Sequence, residues 1–201
     1  MRIQNYKKIR GPIEKLTIQL YENNYQLEVI KIDNYENVFV SINSTIKPRT
    51  LHTIIKNTRE AIKEYKIDDI GLKTVILSNK DGFYSYGLYN AINNTVYYNE
   101  IIHNVEALNN EGIELGHIER HEMYHYRQAV NYKIKYGSIT ENNYSHYIEY
   151  TKMVAKKLVD IKGVKKDNVS SISAYADLSY RLLRYDEVEA EIHAKKGAKH
   201  V

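Results

Sequence analysis

Cysteine is absent from the 201 residues. That excludes a disulfide framework and any thiolate metal site, so an ion held here would have to use histidine, glutamate or aspartate. Only 2 prolines and 9 glycines occur, too few for a long flexible linker. At this length we expect one domain, residues 1–201, with enough interior for a real core. No apolar run approaches the roughly 18 residues of a spanning helix, so no membrane partner is expected. The start, MRIQNYKKIRGPIEKL, carries charge but no apolar centre, unlike a secretory signal. The expected compartment is therefore the cytoplasm. Tryptophan is missing and phenylalanine rare, while tyrosine occurs 20 times. Together with abundant Ile, Asn and Lys, this reads as codon bias of an AT-rich genome rather than as function.

The net charge is +4, too mild to imply a nucleic-acid partner by itself. The clearest basic run is Lys156, Lys157, Lys162, Lys165 and Lys166. A solvated helix-and-turn face explains it, and no nucleic-acid motif accompanies it.

The order of elements points to an α+β fold, with residues 1–100 mainly sheet and residues 101–201 helical. LTIQLY, YQLEVIKI and NVFVSIN are short β-rich runs separated by turns at Glu22-Asn23-Asn24 and Asp33-Asn34. They predict a mostly antiparallel meander. Leu51, Ile54, Ile55, Ala61, Ile62 and Tyr65 line one side of a backing helix from about Thr50 to Tyr65. LKTVILS reads as a buried strand and Asp81-Gly82 as a turn. FYSYGLYNAI and NTVYYNEII then alternate as paired strands around Asn93-Asn94. The helical half begins at about Glu111. A helix ending near Gly137 comes first. Ser138 and Glu141 form a capping box for the next, with Tyr147, Tyr150, Val154, Leu158 and Ile161 as its core stripe and Gly163 as its end. A last helical region spans residues 170–196, with a break near Tyr185-Asp186.

The richest string is His121-Glu122-Met123-Tyr124-His125, an H-E-x-x-H inside GHIERHEMYHYRQA. No proline or glycine interrupts residues 117–136. On a helix, residues four apart share a face. Two imidazoles there can share one zinc ion, which in catalytic sites keeps three protein ligands and an open position. Glu122 would stand beside that open position as general base. Met123, Tyr126 and Val130 recur at helical spacing on the opposite side. The bland alternative is a helix with solvent-exposed histidines.

A third ligand is needed. The extended metzincin pattern would place a histidine where Asn131 stands, which excludes that class. A glutamate on a separate helix is the other common solution, and RYDEVEAEIHAKKGA offers Glu187, Glu189 and Glu191. HEMYH followed by E-x-x-A-x-x-x-A, seen as Glu187, Ala190 and Ala194, resembles the gluzincin zinc peptidases. In those families the third ligand is the first glutamate of E-x-x-A-(D/N). The resemblance therefore implies metal ligands His121, His125 and Glu187, Glu122 as the catalytic base, and Zn2+ as cofactor. It also implies a zincin-like fold, with small alanines letting the glutamate helix pack closely. The chain departs from the pattern at Glu191, where the families carry Asp or Asn to hold a ligand histidine.

GLYNAINNTVYYNEII is similar to the edge strand of small zincin domains found in phage and mobile-element proteins, along which a substrate peptide adds as a further strand. The resemblance covers roughly residues 70–195. His117, four residues before His121, reads as a neighbour of the ligands, since one straight helix cannot wrap three residues around one ion. Glu189 should point away from the Glu187 face and be exposed. His193 and Tyr185 are the candidates for stabilising an oxyanion, against an ordinary surface or packing role. His52, His103, His146 and His200 carry no argument.

The function so implied is zinc-dependent hydrolysis of a protein or peptide substrate. The alternative is a zincin-fold structural or interaction module, in a phage particle or beside a toxin, that binds zinc without general protease activity.

Overall fold

The computed structural model describes residues 6–8, 16–20, 23–32, 35–68, 70–104, 108, 113–161 and 174–196. Seven strands form one sheet: β1 (Tyr6–Lys8), β2 (Leu16–Leu20), β3 (Asn23–Ile32), β4 (Tyr35–Ser41), β5 (Lys73–Leu77), β6 (Gly87–Asn90) and β7 (Thr95–Asn99). Their order is β1-β3-β4-β5-β7-β6, and β2 also pairs with β3. The ten-residue β3 serves both short strands, Leu16–Leu20 meeting residues 23–27 and Tyr6–Lys8 meeting residues 30–32.

The antiparallel meander holds at both flanks but not at the centre. β4 with β5 and β5 with β7 are parallel. The cause is α1 (Pro48–Glu64), which carries the chain from the end of β4 back to the start of β5, as parallel strands require. β6 then turns back antiparallel to β7 and remains at the edge. Central strands buried on both faces lose their polar alternation. Thr74, Val75, Ile76 and Leu77 of β5 are all buried. One face carries Leu51, Ile54 and Ile62 of α1 together with Ile76, Val96 and Tyr98; the other carries Tyr25, Leu27, Phe39, Val75, Leu77 and Tyr97.

The H-E-x-x-H helix, α2 (His117–Tyr136), ends where Gly137 takes φ 83, a left-handed conformation easy only for glycine. The expected start of the helical half, about Glu111, lies outside the described residues. α3 (Tyr144–Ile161) follows a 3-10 turn at Glu141–Asn143. That extra turn moves the capping box from Ser138–Glu141 to Thr140–Asn143. The Thr140 N–H donates to Asn143 Oδ1 at 2.8 Å, and Asn143 Nδ2 donates to the Ser138 carbonyl at 2.9 Å. The expected stripe of α3 is rotated as well. Tyr147, Thr151, Ala155 and Val159 are buried, whereas Tyr150, Val154 and Leu158 are half-buried. Beyond Tyr147, this seam consists of the smaller Thr151, Ala155 and Val159, and Val159 clusters with Val188 and Ile192 of the last helix.

That last region is two helices, α4 (Ala174–Arg181) and α5 (Tyr185–Lys196). The break falls at residues 182–184, slightly before the expected place. Leu183 adopts φ 57, its N–H bonds to the Tyr180 carbonyl, and Arg184 N–H bonds to the Ser179 carbonyl at 2.8 Å. This is a Schellman closure with leucine where glycine is usual. The Glu22 and Asp33-Asn34 turn residues, the Gly163 helix end, the Ser170 start, Lys162, Lys165, Lys166 and His200 lie outside the described residues.

Candidate metal centre

The centre forms where α2, α5 and the edge strand β6 meet. The i, i+4 spacing puts His121 and His125 on one face of α2, with Nε2 to Nε2 3.1 Å apart. The Schellman turn brings the first turn of α5 over them. Glu187 Oε2 then lies 3.3 Å from His121 Nε2 and 3.2 Å from His125 Nε2. Ala190 and Ala194, both fully buried, allow the close approach of α5, and Arg120 Nε ties the Ala194 carbonyl at 2.7 Å. The bland reading is overturned: His121 is 7% exposed, so the histidine face is covered rather than solvated.

The donor set fits a divalent ion. Nitrogen and oxygen ligands about 2.0–2.1 Å from a tetrahedral ion stand about 3.3–3.4 Å apart. The three observed separations of 3.1–3.3 Å make such a triangle.

Neither protein-family models, curated proteins nor solved structures match this chain.

Each candidate ligand has a partner behind it. Gln128 Nε2 donates to the Asp186 carbonyl and to Glu189 Oε2, both at 3.2 Å. Its Oε1 is thereby turned to accept from His125 Nδ1 at 2.9 Å. Protonation at Nδ1 leaves the Nε2 lone pair aimed into the triangle. Glu191 Oε1 lies 3.0 Å from His121 Nδ1, a short but angled contact, and 3.2 Å from His117 Nε2. Glu191 thus stands behind His121, and His117 braces it. His117, His121 and Glu191 also converge as a group that could hold an ion. Filling both places at once would require His121 to lose its second ring proton, so Glu191 is better read as a support.

Glu187 is held through both oxygens. Arg184 Nη2 donates to Oε1 at 2.5 Å, and the Tyr175 hydroxyl donates to Oε2 at 2.9 Å. Arg184 is itself fixed by Asp186, 3.1 Å from Nη2. With Oε1 taken by Arg184, Oε2 is the oxygen that faces both histidines and could serve an ion. Replacing Arg184 with alanine is expected to weaken zinc binding about 10–100-fold, the usual cost of losing a ligand's support. Competition with a chromophoric chelator measures this.

Glu122 is 6% exposed, on the flank of α2 that meets β6. The Tyr89 backbone N–H donates to its carboxylate. Asn99 N–H bonds to the Tyr86 carbonyl. By the alternation of an antiparallel ladder, the peptide groups of Gly87 and Tyr89 then face the free edge. Gly87 permits this approach: a Cβ there would lie 2.7 Å from Glu122 Cγ. Burial pushes the Glu122 carboxyl up, against the pull of His121 and His125.

Around the histidines, burial opposes ionisation, but the Glu187 and Glu191 carboxylates outweigh it and push His121 up to about 10. His125 is raised too, burial being outweighed by Glu187. Burial likewise opposes ionisation of Glu187 and Glu191, yet the facing histidines hold both carboxyls well below the usual range.

The sign of the resulting pH dependence is fixed. A histidine raised in the folded state stabilises fully below its unfolded value near 6.5 and loses that contribution as pH climbs toward 10. The lowered carboxylates contribute above about 4.5 and lose it in acid. Metal-free protein should therefore melt at lower temperature as pH rises from about 7 to 10. Zinc must displace those protons, so the rise in Tm on adding zinc should grow over the same interval. Thermal melts with chelator and with zinc check both trends.

One expectation is corrected, and the two oxyanion candidates take the packing role. Glu189 is 3% exposed, not solvated: it accepts from the Tyr124 hydroxyl at 2.7 Å and from Gln128. Helix α2 covers that side of α5 as well. His193 stacks on Tyr124 with centroids 4.2 Å apart, and Tyr185 packs edge-on against Tyr180. Neither lines the cavity over the triangle, so neither can reach an oxyanion there. Tyr89, Tyr144, Tyr147 and Tyr175 do line it, and of these Tyr175 donates to Glu187 Oε2. Of the histidines set aside, His103 bonds Glu119 at 2.6 Å and His146 bonds Tyr132 at 2.7 Å, both away from the triangle. Gln128 had a sequence signal in its i+3 position from His125. Arg184 and Tyr175 depend on the tertiary turn and had none.

Proposed function

We propose that the chain is a zinc-dependent peptidase of the gluzincin type, with a zincin-like fold. The observation that carries this reading is the convergence of His121, His125 and Glu187 within 3.1–3.3 Å beside a buried glutamate and an edge strand. Those groups border a single cavity of about 500 Å³. A zinc ion bound there supplies Lewis acidity, polarising a carbonyl and lowering the pKa of water.

The chain's own residues do the rest. His125, held at Nδ1 by Gln128, and His121, backed by Glu191, would present neutral Nε2 atoms, with Glu187 Oε2 as the third donor. Glu122 accepts the proton of the attacking water and passes it to the leaving amine. Its raised carboxyl suits both halves of that transfer, since an ordinary carboxylate is a weaker base near neutrality. Apart from the Tyr89 N–H, which is given to Glu122, the outward peptide groups of β6 offer an extended substrate main-chain partners along the cavity wall. No helix among the described residues is long and apolar enough to cross a membrane, and this reading invokes no membrane and no nucleic acid.

The test is direct. Zinc-loaded protein is incubated with a proteome-derived peptide mixture, and new termini are identified by mass spectrometry. Cleavage that disappears with chelator and returns with zinc supports the reading. Absence of cleavage, with zinc bound, shifts the chain to the structural or interaction module.

A further inference from the structure

Helix α3 forms the cavity wall opposite the edge strand with Tyr144, Tyr147, Ile148, Thr151 and Lys152. Their spacing is i, i+3, i+4, i+7, i+8, one continuous helical stripe. Four members give an aromatic and aliphatic surface with a hydroxyl. At the fifth position, where this pattern carries a residue facing inward, the chain has a lysine.

Lys152 is half-buried and, among the described residues, has no acidic partner. Arg184, the other basic side chain lining the cavity, differs. Its charge is met by Asp186 at 3.1 Å and Glu187 at 2.5 Å. The charges of the loaded site can be followed from there. Among the acidic and basic side chains that line the cavity, Glu187 and Glu122 would offset the two positive charges of the ion, and Asp186 offsets Arg184. The ammonium of Lys152 remains. A half-buried cation has given up part of its hydration, and a carboxylate delivered by a ligand restores that loss.

We propose that Lys152 makes this wall a subsite for a substrate carboxylate, so that the favoured substrates are peptides bearing an acidic group beside the scissile bond. The stem of Lys152 and the rings of Tyr144 and Tyr147 hold the aliphatic part of that residue, and the ammonium pairs with its carboxylate. An Asp or Glu side chain and a free chain terminus supply the same chemistry. This inference rests on the peptidase reading above and names the substrate class of that site.

The experiment uses peptides that the wild-type zinc protein cleaves, resynthesised in matched pairs. One pair exchanges Glu for Gln next to the cleaved bond; the other exchanges a free C-terminus for an amide. We expect kcat/KM to favour the carboxylate member of at least one pair by roughly five- to tenfold, as for a partly buried ion pair. The pair that responds identifies the source of the carboxylate. Lys152→Gln should abolish the preference, and Lys152→Glu should reverse it, with zinc content per chain showing that each variant retains its site. Equal rates within both pairs, or a preference unchanged in both variants, would overturn the inference while leaving the peptidase reading in place. If the zinc-loaded wild type cleaves no peptide at all, the peptidase reading fails and takes this inference with it.

Discussion

Glu122→Gln is expected to lower kcat by about 10²–10⁴, the range for removing a positioned general base, while zinc content stays that of the wild type. The reason lies in where the side chain sits. Glu122 follows a ligand histidine in sequence but lies on the β6 side of α2, where Tyr89 N–H donates to its carboxylate. It takes no part in the His121–His125–Glu187 triangle. Glutamine nearly preserves volume and can still accept from Tyr89, so packing is retained and only the ability to take a proton is lost. Single-turnover rates on a cleaved peptide, with zinc per chain measured on the same samples, separate the two effects. A variant with full activity would remove Glu122 from the mechanism.

Glu187→Ala should act on the other quantity. The carboxylate is one of three donors and the only anionic one, and it is gripped by Arg184 and Tyr175 so that Oε2 faces both histidines. Its loss leaves two neutral imidazoles and should cost more than a hundredfold in zinc affinity, beyond the effect of losing a supporting residue alone. It also removes the charge that stabilises protonated His121 and His125, so the metal-free variant should melt lower than metal-free wild type near pH 7. Glu187→Gln, which keeps the size and the contact with Tyr175, guards against collapse of the turn. Isothermal titration with zinc after chelator treatment reads the affinity of all three proteins.

Local pattern made much of this legible. The H-E-x-x-H spacing, the uninterrupted helix to Gly137 and the paired strands around Asn93-Asn94 depend on residues near each other in sequence, and the structure has those elements. The three residues assigned as ligands by resemblance are brought within hydrogen-bonding distance of one another. What escaped the pattern is non-local. The parallel pairing of β4 with β5 is decided by α1 crossing over the sheet, and a single strand carries no mark of its neighbour's direction. Glu189 looked like a surface residue because its partners, Tyr124 and Gln128, lie more than 60 positions away on another helix. The seam of α3 was misjudged because Thr151 and Ala155 are small. Contact with α5 favours them over the larger Tyr150 and Val154, which lie half outside. Tyr175 reaches Glu187 through a turn built on a left-handed leucine, which no glycine announced.

The account stands on the ion site, and zinc per chain tests it most directly. Wild type and the double variant His121→Ala/His125→Ala would be loaded with zinc, dialysed against metal-free buffer and measured by elemental analysis. The account expects close to one zinc per chain in the wild type and close to none in the variant. No zinc in the wild type after loading, or equal zinc in both, would contradict it.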